Sequence, residues 1–318
     1  MKNIYSNIFS YNNKSLLRTI TNLKRGNIVG LPTETVYGLA GNAYSKISVD
    51  KIFKLKKRPR FNPLIVHFYS YKNAKNDVVL NSNFFKLYKK FCPGPITFIL
   101  KKKNKSKVSS LVSAKLDTIA IRFPSHRIIR SILKKINFPL AMPSANISSG
   151  VSPVRAKDVA DEFKNRLKFI MNGGESKIGI ESTVIDLTGR PSIVRPGIID
   201  IKKINKVVET KINIKKKNPK IISPGMLKRH YSPGIPIFLN KENVNNTNAL
   251  ITFGKKFKNK KNCFNLSKKS NLKEAASNLY KPLRKIKKLN FKKIYIVKIP
   301  NLGPGIAIND RLKRAAKK

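Results

Sequence analysis

Residues 30–41 read GLPTETVYGLAG, and their reading sets the fold of everything around them. The segment follows the apolar pair Ile28-Val29. It places three hydroxyls and a carboxylate (Thr33, Thr35, Tyr37 and Glu34) between Pro32, Gly38 and Gly41. A strand that runs into a polar turn bounded by proline and glycine is a usual place for a binding site, because the strand holds the loop rigid. The plainer reading is a capped turn between a strand and a helix. Glu34 weighs against it: the chain has 15 acidic residues against 68 basic ones, so a carboxylate in an apolar, glycine-rich segment is not surface filler.

Outward from that stretch, short apolar runs alternate with helical spacing through the first two hundred residues. Strands are expected at 27–31, 64–68, 96–100, 118–123, 140–143, 168–171, 183–187 and 192–195. Helices are expected at 48–57, with Ser48 as the N-cap, and at 83–91, 125–135 and 153–167. This is an α/β pattern with a large, mixed sheet. From about 202 to 220 the chain is polar and Lys-rich. SPGMLKRHYSPGIP, residues 223–236, holds three prolines and two glycines and reads as an extended linker. Beyond it, strands at 237–239, 250–253 and 293–299 and helices at 273–289 and 310–316 make a small second α/β domain. The division is 1–211 for the first domain, 212–236 for the linker or lid and 237–318 for the second domain.

A chain of 318 residues has room for about two domains, and its 41% hydrophobic content supports real cores. Residues 1–18 hold no continuous apolar segment of the secretory kind, and no run long enough to span a bilayer occurs, so a soluble, cytoplasmic protein without membrane contact is expected. Cys92 and Cys263 lie far apart, as do His67, His126 and His230, so neither a metal site nor a disulfide framework is expected. The net charge of +53 would attract ATP, pyrophosphate and RNA with strong salt dependence. Its spread along the whole chain, with very frequent Asn, also matches A/T-rich codons, so the charge by itself does not single out RNA binding.

Several side chains point to anion chemistry. Lys56 and Arg58 end a helix before Pro59, where the helix dipole favours cations, and a planar fork beside a mobile ammonium also suits phosphate. Arg122 and Arg195 each close an apolar strand, and strand ends are where sites assemble in open α/β sheets. Ser144 and Asn146 project from one side of an extended segment and can fix a small polar ligand or phosphate oxygens. Glu181, Ser182 and Asp186 bracket a strand that follows a glycine-bearing loop, residues 173–180. There is no Walker A loop, no G-x-G-x-x-G and no G-x-S-x-G elbow. These residues define a protein that binds anions and a small polar ligand.

Taken in order, PTETVYGLA, the K-x-R of Lys56–Arg58 followed by NPLIVH, PGPITFIL, TIAIRFPSH, PSANISSGVSP, NGG with GIESTVID, and IVRPG resemble the YrdC-like family. SPGMLKRHYSP and the terminal GPGIAINDRLKRAA resemble its long, two-domain threonylcarbamoyl-AMP synthase form. The resemblance runs from about residue 15 to the end. It implies a YrdC-like twisted mixed sheet with helices around a concave pocket, plus a small Rossmann-like C-terminal domain. It implies ATP-dependent synthesis of L-threonylcarbamoyl-adenylate from L-threonine and bicarbonate, with release of pyrophosphate and with Mg²⁺ present. The product would serve threonylcarbamoyl modification of tRNA adenosine next to the anticodon, through a downstream transferase complex, with weak tRNA binding by the chain itself. By matching positions it implies that Thr35, His67, Arg122, Ser144 and Ser182 hold threonine. Arg58, Asn62, Thr118, Asn146, Ser152, Arg195 and Tyr231 would hold ATP, and Lys56, Arg58, Ser144 and Asn146 would form the K-x-R/S-x-N catalytic set, with no metal ligand. Tyr231 would fold over the pocket with the linker. Phe91-Cys92 departs from the Trp that commonly precedes the PGP segment, and Lys57 leaves open which lysine reaches phosphate. The alternatives are a non-catalytic, basic RNA-binding protein and a carbamoyl-adenylate enzyme with another acceptor.

Overall fold

A computed structural model describes residues 5–209, 212, 214, 230–242, 245, 247–257 and 261–317. In it, β1 (Ile8–Ser10), β2 (Val29–Leu31), β3 (Gly38–Asn42), β4 (Ile65–His67), β5 (Ile96–Lys101), β6 (Thr118–Arg122), β7 (Leu140–Ala141), β8 (Ile170–Asn172), β9 (Thr183–Asp186) and β10 (Ser192–Arg195) form one 10-stranded sheet. Their order is β1-β8-β2-β3-β7-β4-β6-β5-β9-β10, with parallel and antiparallel neighbours mixed. A second, 4-stranded sheet holds β11 (Ile237–Leu239), β12 (Ala249–Thr252), β13 (Cys263–Asn265) and β14 (Ile294–Ile296), in the order β11-β14-β12-β13 and parallel throughout. The α/β expectation of a large mixed sheet beside a smaller one is met.

The stretch that opened the sequence reading does not lead into a helix. β2 and β3 pair antiparallel, Val29 with Ala40 and Leu31 with Gly38, so Pro32–Tyr37 is a hairpin loop inside the sheet. Gly38 is needed there: a Cβ at that position would sit 2.4 Å from the Met142 side chain. Strand β1 and the helix Asn13–Lys24 were not expected, and β13 was not either. The helix Lys46–Lys56 is capped by Ser45, whose hydroxyl accepts the Ser48 N–H at 3.2 Å, so Ser48 is the third residue rather than the cap. The helix expected at 153–167 is Ala156–Phe163 followed by a tight turn, and that at 125–135 is Arg127–Lys135. Ile201–Val208 is helical within a region read as polar chain, because Ile204 and Val208 give it a buried stripe. The expected helix 273–289 breaks at Leu279 into Leu272–Asn278 and Tyr280–Lys288, and the last helix, Pro304–Ala315, starts earlier than expected, with Pro304 in its first turn. Most of the expected linker, including residues 223–229, lies outside the described residues.

Strand register aligns one row of side chains across the large sheet. His67 lies opposite Arg122, Arg122 opposite Thr97, Thr97 opposite Val184 and Val184 opposite Arg195. Residues in one row project from the same face. On that face Ile65, Ile99, Ala120, Val184 and Val194 form a small apolar patch. The opposite face carries the large core, with Val66, Phe98, Ile121, Ile185 and Ile193. Arg195 reaches the first face only through a register shift. Ile193 pairs with Ile185 and Arg195 with Val184, so Val194 is an extra residue. Simple alternation would put Arg195 on the core side with Ile193; the bulge turns it over.

The two halves share a second apolar cluster. Val36, Val151, Val154 and Ile180 from around the large sheet pack in one cluster with Ile237, Ile251, Tyr280, Ile308 and Leu312. Among the described residues, no helix is long and apolar enough to cross a membrane.

Candidate active site

The patterned face of the large sheet opens into a narrow crevice whose enclosed volume is about 40 Å³. Thr33, Arg58, His67, Arg122, Ser144, Glu181, Ser182, Arg195 and His230 line it over the apolar Ile65 and Met142. Three strand ends (β4, β6 and β10) and five segments outside the strands supply these groups, which accounts for their separation in sequence.

At one end, Arg122 Nη2 donates to Glu34 Oε1 at 2.6 Å, and the Ser125 N–H donates to Glu34 Oε2 at 3.1 Å. The hairpin loop that carries Glu34 is braced by the Thr33 and Thr35 hydroxyls, 2.9 Å apart, and by Tyr37, whose hydroxyl donates to the Gly174 carbonyl at 2.6 Å. Burial first, and the Arg122 charge second, hold the His67 imidazole well below its ordinary pKa, so it is neutral at pH 7. The Ser182 and Thr97 hydroxyls bond each other at 2.7 Å on the same row. This end is polar, hydroxyl-rich and close to neutral, since Glu34 offsets Arg122.

The other end is positive. Arg58 donates through Nε to the Asn62 carbonyl at 3.0 Å and through Nη2 to Asn62 Oδ1 at 2.6 Å and the Pro63 carbonyl at 2.7 Å. The Lys56 ammonium donates to the Ser144 and Asn146 carbonyls and so ties the Ser144–Asn146 segment to the end of its helix. Arg195 donates to the Ser182 carbonyl at 3.1 Å and 3.0 Å and to its hydroxyl at 3.1 Å. Among the described residues, no carboxylate lies within ion-pair distance of Lys56 or Arg58. Burial, then the Arg195 charge, push Arg58 down to about 9, and burial with Arg58 lowers Lys56 strongly. Two guanidiniums and an ammonium crowded out of water in this way favour an anion between them.

Not every sequence-derived residue touches the crevice. Thr35 stands behind Thr33. Thr118 shares its face with Ala120 and Arg122 by alternation, and the pairing of Ile65 with Ala120 sets it level with Pro63 on the Arg58 side. Ser152 is turned to Glu181, donating to Oε1 at 2.6 Å. Asn146 Nδ2 bonds the Ile147 and Gly150 carbonyls at 2.7 Å and 3.0 Å. Tyr231 is buried behind His230. Unpartnered polar atoms gather here: Asn62 Nδ2, His67 Nδ1, Arg122 Nε, Asn146 Oδ1 and the Tyr231 hydroxyl are buried without a hydrogen-bond partner among the described residues. Buried polar groups are normally satisfied, so such a gathering marks a place for a ligand. Sequence reasoning assigned no role to His230, Tyr280 or Arg311. The last had a signal, one arginine on the apolar stripe Ala307, Ile308, Leu312 and Ala315.

A larger cavity, about 760 Å³, lies between the helices Ala156–Phe163 and Tyr280–Lys288. Its three carboxylates are each paired, Lys288 with Asp161 at 2.7 Å, Arg284 with Glu162 at 3.4 Å and Arg155 with Asp158 at 3.2 Å, while Lys157 and Lys285 lie over the Tyr5 and Phe264 rings. It is a seam between the two halves and, among the described residues, carries no unpartnered buried side-chain group of the kind seen in the crevice.

Comparison with known proteins agrees with this geometry. A Sua5–YciO–YrdC family model, described as "Telomere recombination", matches residues 21–197, and a model described as "Threonylcarbamoyl-AMP synthase, C-terminal domain" matches 199–317. The chain is 34% identical to the threonylcarbamoyl-AMP synthase of Pyrococcus abyssi, covering 92% of each chain, and 33% identical to that of Bacillus subtilis, covering 96% of this chain and 94% of that one. Its fold superposes on the crystal structure of P. abyssi Sua5 complexed with L-threonine with a TM-score of 0.89 at 31% identity, over 97% of this chain and 96% of that chain.

Proposed function

The chain belongs to the threonylcarbamoyl-AMP synthase family, and on that premise we propose how its crevice divides the work. The enzyme is a nucleotidyltransferase that makes L-threonylcarbamoyl-adenylate, with L-threonine and ATP as substrates. Threonine takes the neutral end, with its carboxylate toward Arg122 and its other polar groups among His67, Ser144 and Ser182, while Thr35 braces the loop. ATP takes the positive end, with Arg58, Asn62 and Arg195 around the phosphates, Asn146 and Thr118 beside them, Ser152 behind Glu181, and Tyr231 closing over the top. The observation that supports this division is the charge contrast between the two ends, since a zwitterion suits the compensated Arg122–Glu34 pair and a polyphosphate suits Arg58, which has no carboxylate within ion-pair distance among the described residues.

The chemistry follows from placement. Bicarbonate enters as third substrate; the threonine amine attacks its carbon, water is lost, and a carbamate forms. A carbamate oxygen attacks the α-phosphorus of ATP and the bond to pyrophosphate breaks. No protein nucleophile is required, and Lys56, through Ser144 and Asn146, keeps the two ends in register. The crevice carboxylates fit poorly as metal ligands: Glu34 is taken by Arg122 and Glu181 by Arg311, Tyr280 and Ser152. Mg²⁺, if used, would be held by the triphosphate and water rather than by these carboxylates, and would supply charge neutralisation there. The first domain spans 1–211, the lid 212–236 and the second domain 237–318. The product passes in the cytoplasm to a separate tRNA threonylcarbamoyl transferase, and the chain's own binding of tRNA is weak and electrostatic. The test is pyrophosphate release by the purified enzyme. Release that needs threonine and bicarbonate together is the expected result, and release indifferent to threonine excludes the reading.

A further inference from the structure

The helix Pro304–Ala315 sends one charged side chain into the boundary between the two halves. Arg311 is 1% exposed, and a guanidinium at that depth is costly unless it is paired. Its Nε donates to Glu181 Oε2 at 3.1 Å, and its Nη1 donates to the Pro196 carbonyl at 2.5 Å and to Asp310 Oδ2 at 3.1 Å. Glu181 belongs to the first domain, just ahead of β9, and lines the crevice. The same carboxylate accepts from the Tyr280 hydroxyl at 3.0 Å and 2.9 Å. The Arg311 guanidinium also sits 5.4 Å from the centre of the Tyr231 ring, which stacks on Tyr280 at 6.0 Å. Tyr231 holds φ +64°, a strained backbone for a residue with a side chain, so packing must keep it there.

A carboxylate in the wall of a polyphosphate site is a liability. Left uncompensated at a distance of about 10 Å, one such charge would weaken anion binding on the order of tenfold in a partly desolvated site. Against the burial that opposes its ionisation, Arg311 first and Arg195 second hold the Glu181 carboxyl charged, Arg311 by direct contact, and the same guanidinium supports the ring of the lid residue.

We propose that Arg311 is a positioning residue for the nucleotide: it cancels the Glu181 charge and props Tyr231 at the crevice, so that the C-terminal domain sets ATP affinity without touching the reacting atoms. The proposal rests on the reading of the positive end as the ATP site. It concerns the KM for ATP and leaves the threonine end alone.

The test uses full-length R311M, R311K, and R311M combined with E181Q, with separate KM values for ATP and threonine from pyrophosphate release. R311M is expected to raise the ATP KM about tenfold or more while the threonine KM stays within about twofold, and R311K is expected to fall between. Removing the stranded carboxylate in R311M/E181Q is expected to recover most of the ATP KM, which a merely structural role would not allow. An unchanged ATP KM in R311M, a parallel rise of both KM values, or a double variant no better than the single one would each overturn the proposal. If R311M does not fold, R311K and the double variant carry the test, and an ATP KM in R311K equal to that of the parent overturns it. A parental ATP KM in both Arg58→Ala and Arg195→Ala would sink the ATP-site reading instead, so the two failures are distinguishable.

Discussion

The two ends of the crevice are built from the same residue types and behave differently. Arg122 meets Glu34 at 2.6 Å, so its charge is spent within the protein. Arg58 is as deeply buried, yet its contacts are the carbonyl oxygens of Asn62 and Pro63, so its charge is oriented but not cancelled. A buried arginine with a carboxylate partner orders a pocket; one with carbonyl partners is poised for an anion.

The sharpest way to break the contrast is at the positive end. Arg58→Ala or Arg195→Ala should lower turnover by about 10²-fold or more, as expected for loss of a charge-stabilising group, while equilibrium threonine binding persists. Parental rates in both variants would remove them from the site. Next, Arg122→Met should weaken threonine binding on the order of 10–10²-fold with little change for ATP. It should also cost stability of ~3–5 kcal/mol, because Glu34 is left buried and unpaired. Adding Glu34→Gln should restore the melting temperature without restoring threonine binding; joint recovery would mean that Arg122 serves the fold alone.

A smaller effect concerns His230. Burial foremost, and nearby Arg58 and Arg195, hold its folded pKa near about 3 against the ordinary value near 6.5. The unfolded chain therefore takes up a proton between those values that the folded chain refuses, and stability falls as pH falls through that window. The slope is about 1.4 kcal/mol per pH unit at its steepest, and His230→Phe should flatten it in denaturation series from pH 7 to pH 4. Identical slopes would place the imidazole in water. Least of all, Ser182→Ala removes one hydroxyl from the Thr97 pair and should raise the threonine KM about fivefold, the scale of one neutral hydrogen bond.

Much of this was legible in the sequence because buried strands announce themselves as apolar runs: β5, β6, β9 and β10 fall where those runs lie. Helices that bury only a thin stripe were harder, and Ile201–Val208 vanished among its lysines. The hairpin return at β3 was hidden, since Gly38, Ala40 and Gly41 carry no strand propensity and owe their conformation to neighbours 100 residues away. Arginines at strand ends signalled the site, but nothing local separates Arg122, which finds a carboxylate, from Arg58, which does not. The contribution of His230, Tyr280 and Arg311 depends on contacts between the two halves, which no local pattern encodes.

The inserted residue in β10 has a consequence of its own. Val194 is the added residue, so excising it would leave Arg195 next to Ile193 and still opposite Val184 on the crevice face; what the deletion removes is the local bend of the bulge and one side chain of the apolar patch. The hazard lies in the opposite change: with Val194 present, a slip that paired it with Val184 would iron out the bend and turn the Arg195 guanidinium toward the hydrocarbon side of the sheet.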